Sequence, residues 1–160
     1  MSALRSFLEE HAQRQNETKA QRRDDLEEWK RAVDSLIGQF EIWLHEADRK
    51  NALTIDRVPY TLRERRLGTY DVDGLRVRFG VREFRIEPVA RYALGSVGGD
   101  ELGTTIRDGW VNMSSGDKGY VLYRNKREDG DEWVIADDRT YEPQKLNEST
   151  FETAVLHLLK

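Results

Sequence analysis

The sequence predicts an α+β fold: a long N-terminal helix, an antiparallel meander or small barrel of about six or seven strands, and a short C-terminal amphipathic helix. Three observations carry this expectation. Apolar residues recur at alternating spacings of three and four from Leu26 to Ala47, the spacing falls to two after residue 52, and a helix-capping pattern precedes the last residues of the chain.

The first region, residues 1–51, contains no proline and a single glycine, Gly38. Leu26, Trp29, Val33, Leu36, Phe40, Trp43 and Ala47 follow a 3-4 alternation of coiled-coil type, while Ala32, Ile37 and Leu44 widen the stripe toward a globular packing face. Upstream, Glu9 to Asp25 is almost wholly polar, with Leu4, Phe7 and Leu8 as a small apolar cluster at the tip. Arg49, Lys50 and Asn51 suit a helix end, the cations by charge and the asparagine by its tolerance of left-handed backbone.

Residues 52–160 are expected to form the β domain. Val58, Tyr60 and Leu62 alternate with polar neighbours, as do Tyr70 and Val72 and then Leu75, Val77, Phe79 and Val81. Asp73-Gly74, lying between two such runs, predicts a two-residue hairpin turn. Phe84 and Ile86 continue as a strand to Pro88, and Val89 to Leu94 is a candidate for another. Gly95 to Asp100 reads as a loop, Leu102 to Val111 as a strand folded at Asp108-Gly109, and Tyr120–Tyr123 and Trp133–Ala136 as two strands joined around Gly130. Ser149 and Glu152 have capping-box spacing, predicting a closing helix over 149–160 with Phe151, Ala154, Val155, Leu158 and Leu159 on its apolar face. In element order alone, a meander closed by a final helix resembles pleckstrin-homology-like and other small-barrel modules, a likeness that implies a fold and no function.

A chain of 160 residues with 38% hydrophobic and 35% charged residues is the size of one domain with a modest core. It has no cysteine, so disulfides and thiolate chemistry are absent. No apolar run nears the roughly 18 residues that span a bilayer, and residues 1–15 do not read as a secretory signal, so a cytoplasmic protein without membrane attachment is expected. The net charge is -4, yet residues 57–91 hold nine arginines against five acids. An acidic protein is not globally drawn to nucleic acid, but its middle third is locally basic.

Two sets of residues are candidate sites. The stripe Leu26, Trp29, Val33, Leu36, Phe40 and Trp43 would release on the order of 10 kcal/mol on burial and so must be covered, either by the chain's own sheet or by another polypeptide. Arg63, Arg65, Arg76, Arg78 and Arg85 occupy outward strand phases and form a candidate anion-binding face, since guanidinium groups grip phosphate bidentately. The plainer reading of that face is mixed surface charge, with Glu64, Asp71, Asp73, Glu83 and Glu87 as neighbours. Asp137 and Asp138 at a strand end, with Glu142 and Lys145 beyond, resemble a metal-dependent nuclease set, but the Glu-x-x-Lys spacing does not place both on one strand face. His11, His45 and His157 lie apart and form no metal spacing. No cofactor motif is present.

The function these residues favour is a non-enzymatic intracellular interaction or assembly module, an adaptor that binds a protein partner or oligomerises through its heptad helix. Nucleic-acid or phosphate-ligand binding by the arginine face is the alternative, and a metal-dependent hydrolase is the third.

Overall fold

The computed structural model describes residues 2–91, 93–94, 106–127 and 130–160. Helix α1 runs Ala3–Ala47, with Ser2 as N-cap accepting from the Arg5 amide. At the other end Asp48 stops it: its carboxylate accepts the Ala52 and Leu53 amides at 2.7 and 2.9 Å, and Asn51 takes a left-handed φ of 54°.

Seven strands follow in one antiparallel sheet: β1 (Thr54–Glu64), β2 (Gly68–Phe79), β3 (Arg82–Ala90), β6 (Trp110–Ser115), β7 (Lys118–Arg127), β8 (Gly130–Asp137) and β9 (Pro143–Lys145), neighbours in that order. Between β3 and β6 lie β4 (Ala93–Leu94) and β5 (Ile106–Arg107), which pair with each other in a separate two-stranded ribbon. The sheet ends at β1 and β9 and does not close, so the fold is a meander rather than a barrel. The loop expected at Gly95 to Asp100, the start of the strand expected at Leu102 and the turn residues Glu128 and Asp129 lie outside the described residues.

The Asp73-Gly74 hairpin is not formed. Both residues stand inside β2, paired with Pro59 and Val58, and the turns fall instead at residues 65–67 and 80–81. Glycine is required at 74 for space: a β-carbon there would lie 2.1 Å from the Ile86 carbonyl oxygen and 2.6 Å from the Tyr60 ring. The buried phase of β2 also changes at this point, from Tyr70 and Val72 to Leu75 and Val77. Strand β3 runs through Pro88 to Ala90 with a register shift there, an irregularity that suits a residue without an amide proton.

Helix α2 runs Glu148–Leu159, two residues earlier than the Ser149 cap predicts. Asn147 is the cap: its Oδ1 accepts the Thr150 amide at 3.0 Å while Thr150 Oγ1 accepts the Asn147 amide at 2.9 Å. Serine and asparagine cap about equally well, and the reciprocal partner Thr150 decides between them.

The stripe of α1 is covered by the chain itself. Trp29, Val33, Leu36 and Phe40 are buried in the main core, and Leu26 and Trp43 are half-buried against it. Phe40 stacks on Phe151 of α2 with ring centroids 4.4 Å apart, and Trp29 meets Trp133 of β8 at 6.4 Å. Residues 1–51 and 52–160 thus share one core, and the stripe is not a free surface in this fold.

Candidate interaction surfaces

What α1 leaves exposed is its amino-terminal half. Phe7 through Asp24 are exposed at every position, whereas burial begins in earnest at Trp29. At about 1.5 Å per residue, this arm extends on the order of 30 Å. Polar pairs one turn apart support it, including Glu10 with Arg14 and Gln21 with Asp25. Arg66 in the β1–β2 turn lines a polar cleft with Arg14, Gln21 and Asp25 of the arm. Near the tip, Leu4, Phe7 and Leu8 are 65%, 64% and 53% exposed, and the Phe7 ring stacks on His11. These residues share one helical face by their spacing of three, four and seven.

A second apolar surface lies at the opposite end of the helix. Trp43, Leu44 and Ala47 of α1, Leu53, Phe79 at the tip of β2, and Phe151, Val155, Leu156 and Leu159 of α2 line a groove of about 460 Å³. Phe79 and Leu156 are 47% and 56% exposed, and both line this groove. Asp48, Glu152 and Lys160 are the charged residues of the lining. Nothing about the residues singly distinguishes this groove in the sequence, because its walls come from four separate elements.

The predicted arginine face is assembled in part. Arg76 pairs with Arg85 directly across the β2–β3 ladder, and Arg78 stands opposite Glu83. Asp56 lies 3.6 Å from Arg76 and 3.3 Å from Arg78, while Glu83 lies 3.6 Å from both Arg76 and Arg85. Arg63 and Arg65 are elsewhere: Arg63 pairs with Thr69 at the far end of the hairpin, about 23 Å along β1 from Asp56, and Arg65 is in the turn. Sequence phase alone grouped all five. Strand length separates them.

Sequence reasoning missed a cluster of charge beneath α1. Arg124 of β7 is fully buried, ion-paired to Glu28 of α1 and 3.6 Å from Asp131, with its guanidinium 5.7 Å from the Trp29 ring centroid. Arg91 lies 3.8 Å from the same Glu28 and 3.5 Å from Asp108, and its amide donates to Glu64. Tyr70 donates to Glu64 and accepts from Trp29 Nε1 at 3.0 Å. Burial, then the bond to Glu64, pushes the Tyr70 hydroxyl well above the ordinary tyrosine range. On the other flank Arg57 bonds Glu41 at 2.8 Å and Asp34 at 2.6 Å, and these bonds raise its pKa further. The available signal was Arg124 in the same alternating phase as Tyr120 and Leu122. Together these groups act as clamps that fix α1 on the sheet.

Asp137 and Asp138 do not meet a set of ligands. The Asp137 carboxylate accepts the Arg139 amide at 2.8 Å, and among the described residues no three histidine, aspartate or glutamate side chains converge as metal ligands. His157 pairs instead with the Tyr120 hydroxyl at 2.9 Å. Among the described residues no helix is long and apolar enough to cross a membrane. No family model, no curated protein and no solved structure matches the chain.

Proposed function

We propose that this chain is a non-enzymatic interaction module in which α1 recruits another polypeptide through its exposed amino-terminal arm, with the rest of the fold as anchor. One observation carries the reading. Leu4, Phe7 and Leu8 are more than half exposed on an otherwise polar arm, a cost in water that a partner would remove. The role expected of the heptad stripe passes to this tip, since the stripe is covered by the sheet.

A photo-crosslinking residue at Phe7 in the full chain tests it. Crosslinks to a polypeptide are expected, and a Leu4→Glu/Leu8→Glu background should reduce their yield at least tenfold. Absence of crosslinks, or an equal yield in that background, overturns the reading.

A second reading, binding of nucleic acid or a phosphate-bearing ligand, is favoured by the like-charge pair Arg76 and Arg85 held in register with Arg78 beside them. Asp56 and Glu83 lie between the three guanidinium groups and offset two of their charges, which leaves the patch one positive charge to offer an anion. That charge implies that affinity for a DNA oligonucleotide falls between 50 and 200 mM salt, and that Arg76→Ala/Arg85→Ala abolishes most of it. Binding insensitive to salt would dispose of this reading.

A further inference from the structure

We infer that the polypeptide taken by the arm is a second copy of this chain, whose apolar groove between the end of α1, β2 and α2 receives the tip, so that molecules join head to tail. The inference rests on reading the arm as the recruiting element and adds the identity of what it recruits.

The two surfaces match in kind. Leu4, Phe7, Leu8 and His11 present the i, i+3, i+4, i+7 anchors by which a helix seats in an apolar groove. The groove has about 460 Å³ of space walled by Trp43, Leu53, Phe79, Leu156 and Leu159. The polar clefts beside Gln39 and beside Arg66 are larger, at about 710 and 600 Å³, so it is the apolar lining that sets this groove apart. Among the described residues the other large exposed apolar side chains, Ile42, Val81 and Tyr141, lie outside both surfaces.

Charge agrees with the pairing. The first turn of α1 holds no acidic residue, so Arg5 and the positive end of the helix dipole meet the groove's Asp48 and Glu152. Glu9 and Glu10 lie off the Leu4–Phe7–Leu8 face and stay in solvent, so they do not oppose the acidic residues of the groove.

Geometry requires the two surfaces to belong to different molecules. The groove begins at Trp43 and Leu44, and forty residues of continuous helix hold Leu4 about 60 Å away from it. An arm cannot fold back into its own groove without breaking α1. The contact is therefore between unlike surfaces, which leaves a free tip at one end of each assembly and a free groove at the other, and growth continues until a ring closes. A joint made by one helix tip is small, so association is weak and follows concentration.

Mixing two variants of the full chain tests this. Phe7→Glu/Leu8→Glu removes the tip, and Leu156→Glu removes the groove; Phe79→Glu is a second groove variant on a different element. All these positions are about half exposed or more, and far-ultraviolet circular dichroism checks each fold. By light scattering, the wild type should exceed the monomer mass of 18.7 kDa increasingly with concentration, and each variant alone should stay at it. An equimolar mixture of tip and groove variants should give a species of twice that mass and nothing larger, because one productive joint remains. A mixture that stays monomeric, or a groove variant that still self-associates, overturns the head-to-tail joint. If the wild type is monomeric while Phe7 crosslinks to some other polypeptide, the second copy is excluded and the recruiting arm stands. If neither occurs, both fall.

Discussion

A methyl group at position 74 would collide with the backbone of β3, since its carbon would lie 2.1 Å from the Ile86 carbonyl oxygen. Gly74→Ala is accordingly expected to destabilise the fold by about 1–3 kcal/mol, read as a lower urea midpoint with unchanged slope. The same glycine shows why the turn was misplaced: Asp-Gly signals a hairpin through left-handed backbone, but here glycine serves a close approach that depends on a neighbouring strand. Arg124 is a comparable case, a charged residue in core phase whose partners Glu28 and Asp131 come from distant elements. Tyr70 links this scale to pH. Its buried hydroxyl ionises above the ordinary value near 10, so the stabilisation from keeping it neutral is complete below pH 10 and is lost as pH rises beyond. Urea titrations between pH 8 and 11 should show stability falling above pH 10 by up to about 1.4 kcal/mol per pH unit for such a group. Tyr70→Phe should lower the plateau and flatten that fall; Tyr60 and Tyr120, also raised by burial, retain part of it.

At the scale of elements, α1 is two helices in one. Its carboxyl half is held by core packing and by the clamps at Arg57, Arg91 and Arg124, whereas its amino half touches little and is nucleated by the half that is anchored. An isolated helix of that length is marginal in water, and continuity with the docked half removes its nucleation cost. Deleting residues 2–24 should therefore leave the melting temperature within a few degrees of the full chain while reducing helical ellipticity by about half of the α1 contribution. A collapse of the melting transition would show that the arm supports the body. The periodicity of the helix was legible from its letters; the division of labour along it was foreshadowed only by the polar run from Glu9 to Asp25. Helix α2 was legible as an amphipathic segment, and its start moved to Asn147 because reciprocal bonding with Thr150 is a matter of three-dimensional fit.

Over the whole molecule, the chain lays one long helix and one short one on the same face of an open seven-stranded meander. The order of elements, the antiparallel pairing and the oily faces of both helices were determined by the sequence itself, because hydrophobic spacing and local capping act over a few residues. Which surface covered the stripe was decided only in three dimensions. A stripe wide enough to pack on a sheet is also wide enough to pack on a partner, and burial makes no distinction between them. The tertiary structure made that choice, and by burying Trp29 and Phe40 beneath the strands it left the arm tip and the groove beside Leu156 as apolar surfaces facing solvent. The groove and the split of the arginines were likewise decided by folding, since each depends on distances between residues that strand length and strand order set, not on their neighbours in the chain.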